Sequence, residues 1–145
     1  MTTFRSFVGL VLVASLAAGC AESSATLTSP SSTVTAGQLA GTWNLLSIQP
    51  ADQGEQPTPA GATYALTFAD GRLSTRVDCN TCSGSFALSG QTLTAGPALA
   101  CTRAACRTME FENAYTRLLG GEGTVTLSGD GLVLSSSRGV LRFAR

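Results

Sequence analysis

The sequence predicts an α+β domain that is mainly antiparallel β: a small barrel of about eight strands with one helix packed on it. Three observations carry that expectation. From residue 39 onward, apolar residues alternate with polar ones at a period of two. Gly-containing turn signals punctuate the alternation every eight to twelve residues or so, roughly the spacing of short consecutive strands. One stretch, residues 108–119, changes to a helical period.

The first strand is read at residues 42–48, followed by a polar loop, 49–61, that contains Pro50, Pro57 and Pro59. Tyr64, Leu66 and Phe68 alternate with Ala65 and Thr67. Asp70-Gly71 then marks a hairpin turn before Leu73, Thr75 and Val77. Residues 85–88 and 92–95 flank a Ser89-Gly90 turn. Beyond the helix, residues 124–128, 132–136 and 140–143 are strands separated by turns at 129–131 and 138–139.

In the helical stretch Phe111, Ala114, Tyr115, Leu118 and Leu119 recur at i, i+3, i+4, i+7 and i+8, a stripe suited to packing on a sheet. Thr108 is placed to cap the helix, with Glu110 and Glu112 in its first turn and Arg117 in its last. Gly120-Gly121 supplies a left-handed stop. Leu66, Phe68, Val77, Phe86, Leu127 and Leu134 are the expected inward positions, bulky enough to fill a closed sheet. Closure would also remove exposed strand edges.

Composition limits the chemistry. The 145-residue chain balances nine basic against nine acidic residues, with no basic stripe to neutralise phosphates, so nucleic acid is not an expected partner. It has no His, hence no His-activated nucleophile and no His-ligated metal. It has no Lys, hence no Schiff base and no phosphate-loop lysine. No catalytic residue and no cofactor is expected.

Residues 1–19 read as a signal peptide: Arg5 precedes an apolar run far shorter than the ~20 residues a spanning helix needs. Leu16-Ala17-Ala18-Gly19-Cys20 resembles the bacterial lipobox and makes Cys20 the residue expected to receive lipid. Several acyl chains anchor stably where one does not. Ala21, rather than Asp, follows Cys20; by resemblance to diderm lipoproteins this implies, in a diderm host, the periplasmic face of the outer membrane. Residues 20–38 read as a Ser/Thr-rich tether that buries too little to fold, leaving 39–145 as the domain.

Setting Cys20 aside leaves Cys79, Cys82, Cys101 and Cys106. Their C-x₂-C and C-x₄-C spacing could hold zinc, but an exported chain meets oxidising conditions in which thiols pair. Disulfides are therefore expected, and no metal. A redox-active Cys79/Cys82 pair is the weaker reading, because such motifs usually sit at a helix N-terminus whereas Cys79 is read as closing a strand. Four cysteines allow three pairings. The nested set Cys79–Cys106 and Cys82–Cys101 is favoured because it would staple a strand end to the loop before the helix, but the spacing does not fix it.

Several segments together resemble the META domain family, which includes the heat-shock protein HslJ. They are Leu39-Ala-Gly-Thr-Trp43-Asn-Leu45, Leu66-Thr-Phe68-Ala-Asp70-Gly71-Arg72, Cys79-Asn80-Thr-Cys82-Ser-Gly84-Ser-Phe86 and Cys101-Thr102-Arg103-Ala-Ala-Cys106. Glu110, Tyr115 and Leu118 in the helix, Gly129-Asp130-Gly131-Leu132-Val-Leu134 and Leu141-Arg-Phe143 complete the likeness. It covers residues 39–143. Asp78 stands where Gly is common before Cys-Asn, Ala104 replaces the usual Met, and Cys82 with Cys101 forms a pair that many members lack.

The resemblance implies a small antiparallel barrel with a helix, placement in the envelope as a lipoprotein, and a link to stress tolerance, without established catalytic residues. Asn80, Gly84 and Arg103 are candidates for a binding loop; the competing reading has Asn80 bonding backbone in a turn and Gly84 at positive φ. Trp43 is either a ligand-stacking ring or core. Asp78 is expected to form a surface ion pair with Arg76 or Arg103. The leading functional expectation is a non-enzymatic envelope module that binds another envelope component, such as an envelope protein, or supports envelope integrity under stress. The alternatives are a carrier of a small apolar ligand in the barrel and, less favoured, a thiol–disulfide protein.

Overall fold

A computed structural model describes residues 33–96 and 98–145. The expected signal peptide, Cys20 and the tether as far as residue 32 lie outside the described residues. Ten strands and two helices follow in order: α1 (Ala36–Leu39), β1 (Gly41–Pro50), β2 (Gln56–Pro57), β3 (Tyr64–Ala69), β4 (Arg72–Val77), β5 (Asn80–Ser89), β6 (Thr92–Ala95), β7 (Ala100–Cys101), α2 (Met109–Leu119), β8 (Gly121–Ser128), β9 (Gly131–Ser136) and β10 (Gly139–Ala144). All pairings are antiparallel between sequence neighbours or near neighbours, in the order β10-β9-β8-β6-β5-β4-β3-β1, and β10 returns to pair with β1. The result is a closed eight-stranded barrel. The two-residue strands β2 and β7 cover stretches of β1 and β5 that the barrel leaves unpaired.

Local sequence explains most boundaries. The β3–β4 hairpin turns on Asp70 and Gly71, both at positive φ (48° and 71°), the two-residue geometry that matches strand twist. β1 carries a bulge between Leu45 and Ser47 in its pairing with β10. The extra residue, Leu46, is turned outward and is 55% exposed, while Leu45, Ser47 and Ile48 are buried. Strict alternation read from the sequence cannot reveal that shift.

Four boundaries differ from the sequence reading. β5 begins at Asn80, not 85, so Cys79 lies in a two-residue turn with Asp78 and does not close a strand. β8 begins at Gly121, directly after the helix, and the last hairpin turns on 137–138 with Gly139 already in β10. At the helix C-terminus Gly120 is extended (φ −69°), and the left-handed residue is Gly121 (φ 81°). The domain also starts before residue 39. Val34 is buried and its N–H donates to Gly90 O, and α1 opens with a capping box between Thr35 and Gln38. The expected tether thus gives up its last residues to the barrel, because Val34 and Leu39 supply apolar surface that the Ser/Thr-rich composition concealed.

The two ends of the barrel differ. At one, here the proximal pole, the chain joins the barrel through α1, near the 70–71, 90–91 and 129–130 turns and the C-terminus. Arg145 closes it: its guanidinium donates to Gln38 O and Ala40 O (both 2.9 Å) and lies 4.1 Å from the centre of the Trp43 ring. Trp43, 1% exposed, donates from Nε1 to Leu39 O. It is core, not a ligand platform. The distal pole carries α2, the loops on either side of β7, and the 78–79 and 137–138 turns.

The interior is filled. Leu66, Phe68, Val77 and Leu134 are buried as expected, and Phe86 and Leu127 are partly buried against them. Tyr115 reaches from α2 into this core, donates to Thr75 Oγ1 (2.7 Å), and packs edge-on against Tyr64 and Phe143. Thr75 in turn donates to Ala65 O (2.9 Å), so each buried hydroxyl is satisfied. The void beside Leu93, Leu118, Leu119 and Leu134 amounts to about 10 Å³, scarcely one water.

Two predictions follow from this packing. A Cβ at Gly139 (φ 141°) would run into Gln49 O and come within 2.9 Å of Leu118 Cδ2. Gly139→Ala should therefore lower unfolding free energy by about 3 kcal/mol or more, measured by chemical denaturation; a loss under about 1 kcal/mol would show that β1 and β10 can part there without cost. Burial also pushes the Tyr115 phenol far above the usual tyrosine range. Tyr64 is raised too, by burial and by the Asp78 and Glu112 charges, against its Thr108 hydrogen bond. The unfolded chain ionises first, so this stability is complete below about pH 10 and is lost as pH rises beyond it. Tyrosinate absorbance from Tyr115 should grow only together with cooperative unfolding; its independent titration near pH 10 would contradict the burial.

Candidate functional site

The sequence at the distal pole concentrates polar residues where a closed barrel must stop pairing its strands. Asn80, the first residue of β5, is 1% exposed. Its Oδ1 accepts from Ala104 N (2.8 Å) and Thr102 Oγ1 (2.9 Å). Its Nδ2 donates to Ala104 O (2.9 Å) and lies 3.1 Å from Cys106 Sγ and from both oxygens of Glu112. One buried amide thus holds the loop after β7 to the first turns of α2. Of the two readings of Asn80, backbone bonding is the observed one, although the partners are 24 residues away and not in its own turn.

The disulfides reinforce the same loop. Cys79 is bonded to Cys106 and Cys82 to Cys101, the nested arrangement. Cys82 and Cys101 are directly opposed on β5 and β7. Because Cys79 and Cys82 are not bonded to each other, the C-x-x-C redox reading has no intramotif bond to work with. In the chain-entropy picture each crosslink restricts the unfolded state by about 3–4 kcal/mol, and nested loops share part of that sum.

A second polar chain anchors α2. Thr108 makes no side-chain cap bond. Its Oγ1 instead donates to Asp78 Oδ2 (2.8 Å) and accepts from Tyr64 OH (2.8 Å). Asp78 sits at φ 58°, a left-handed position where glycine is the unstrained choice; the Thr108 bond is what an aspartate adds there. The expected ion pair with Arg76 or Arg103 does not form. Arg76 donates to Asp78 backbone O (3.2 Å), and the ion pair among the described residues is Arg142 with Glu55.

Gly84 departs from both earlier readings. Its φ is not positive, and it pairs with Leu73 inside β5. A Cβ there would come within 2.9 Å of Leu99 Cδ2, so glycine admits Leu99 against the strand. Arg103 is exposed on the rim of a cleft of about 440 Å³. Asn80 and Glu112 line that cleft from within, with Leu99, Met109 and Thr116 on its sides. Asn80 and Arg103 therefore converge, and Gly84 supports them from behind. Glu112, 8% exposed, is the residue the sequence reading missed. It was counted as a dipole-favoured acid, yet it precedes Tyr115 by three positions and Leu119 by seven, on the buried face of the stripe.

Comparison with known proteins agrees with the geometry. The META domain family model matches residues 33–145, the span the structure shows folded. An NMR structure of a protein from Burkholderia xenovorans is 27% identical over 76% of this chain and 85% of that one, with a TM-score of 0.62. A second NMR structure is 26% identical over 77% of this chain and 94% of its own, with a TM-score of 0.61. No curated protein matches.

Asn80→Ala removes donors and acceptors at once and strands Ala104 N, Ala104 O and the Glu112 carboxylate. Stability should fall by about 3 kcal/mol with both disulfides intact. Amide exchange should quicken across residues 102–106 before the barrel opens; unchanged protection there would disprove the role given to Asn80.

Proposed function

The chain belongs to the META domain family, and from that premise we propose that it acts as a membrane-tethered envelope lipoprotein whose domain is a non-enzymatic recognition module, with the distal cleft as its contact face. One observation carries the reading: the chain joins the barrel at the pole opposite the cleft. A lipid on Cys20, followed by a Ser/Thr-rich tether, would hold the proximal pole toward a membrane and leave the cleft facing outward. A tether of that composition has a reach on the order of 20 Å.

Binding is favoured over catalysis by the inventory of groups. The sequence has no His and no Lys. The four domain cysteines are bonded in pairs. The buried tyrosines are engaged with threonines. The carrier alternative receives no support from the interior, where packing leaves the 10 Å³ void and the larger clefts open at the surface. The family likeness to HslJ suggests that the contact serves envelope integrity under stress.

Cys20→Ser should move the protein from the membrane fraction to the soluble exported fraction. Crosslinking pull-down from native envelopes should recover a partner with the lipidated protein and lose most of it with Cys20→Ser. Membrane retention of Cys20→Ser would remove the anchor from this account.

A further inference from the structure

Glu112 is a carboxylate in the wrong company. It is 8% exposed, yet among the described residues no Arg lies within ion-pair distance of it. Its hydrogen bonds come from Asn80 Nδ2, whose two hydrogens are spread over four acceptors: Ala104 O, Cys106 Sγ and both Glu112 oxygens. A carboxylate offers about four lone-pair sites. Position near the start of α2 helps it through the helix dipole, but burying a charge without a counter-charge remains costly. Glu112 lines the 440 Å³ cleft.

Resting on the reading of the distal cleft as a contact face, we propose that Glu112 is the counter-charge for a lysine side chain of a partner polypeptide. The cleft has the parts for it. Leu99 and the 43%-exposed Met109 offer apolar walls for a four-carbon stem. Both Glu112 oxygens already lie on the Asn80 amide, so no free parallel edge remains for an arginine fork; a point-like ammonium fits the lone pairs left over. The exposed Asn113 on the rim can bond the partner's main chain. The protein has no lysine of its own to place there, and its rim cation, Arg103, is not within ion-pair distance of Glu112. Arg103 on the rim adds a like charge that weakens lysine binding.

The test uses the full lipidated chain in detergent micelles, with binding followed through the Asn80 side-chain amide resonances by NMR. Acetyl-Gly-Lys-Gly-amide should shift them saturably, while its Nζ-acetylated counterpart, with the same stem and no charge, should not. Glu112→Gln keeps an acceptor for Asn80 and should weaken the lysine peptide by about tenfold or more; Arg103→Gln should tighten it. n-Butylammonium, which has stem and head without a main chain, should bind more weakly than the peptide. Equal binding of the acetylated peptide, or an unchanged affinity in Glu112→Gln, overturns the counter-charge. Equal binding of n-butylammonium overturns the polypeptide as its source. Either failure leaves the anchoring test on Cys20 standing, so the two readings fall separately.

Discussion

The structure depends on β1 meeting both β3 and β10. That meeting turns a meander into a ring, and a ring of eight strands has an interior just wide enough for side chains. Two consequences follow at once. Among the described residues the edges beside β1 and β5 are reduced to the two-residue strands β2 and β7, too short to template a partner's strand. The barrel also has no room inside for a ligand. What remains are the ends, where backbone pairing stops and polar groups must find other partners. Gly139 shows how tight the junction is: the backbone of β10 approaches Gln49 O so closely that a single methyl group cannot be accommodated.

At the distal pole two kinds of restraint act on one loop, and they are not redundant. A disulfide fixes the separation of its ends, here 79 with 106 and 82 with 101, but says little about the residues between. Asn80 supplies what the bridges lack. By accepting from Ala104 N and Thr102 Oγ1 while donating to Ala104 O, it fixes the conformation inside the crosslinked loop. The Tyr64–Thr108–Asp78 chain then sets where α2 begins. The helix is thus positioned by polar bonds at its start and by Tyr115, Leu118 and Leu119 along its length.

Much of this was legible in the sequence, and the gaps have physical causes. Period-two alternation and the Asp70-Gly71 turn determine β3 and β4 because both are local signals. β5 escaped because its first half, Asn80 to Gly84, is polar and small; it is a strand through its pairing with β4 and β7 and has no apolar alternation of its own. α1 escaped because four residues give no period, and its hold on the barrel comes from Arg145, more than a hundred positions away. Asn80 was visible as a candidate but its partners were not, since they are 22 to 32 residues distant. Glu112 was the avoidable miss: an acid on the apolar face of an amphipathic helix is itself a signal of a buried polar site.

The division of labour between the poles bears on why the cleft is where it is. The proximal pole is consumed by closure: α1, Val34 and Arg145 cover the Trp43 end, and the large aromatic ring there is committed on one face to a guanidinium and through its N–H to Leu39. At the distal pole the core ends in polar groups bonded to one another, and at Asn80 a two-hydrogen donor serves four acceptors, two of them the Glu112 oxygens. A rigidly held, under-bonded carboxylate in an open cleft requires little reorganisation to accept a cation, because its position is already fixed by the helix and the Asn80 amide. The same crosslinked loop that secures the fold therefore also pre-forms the cleft.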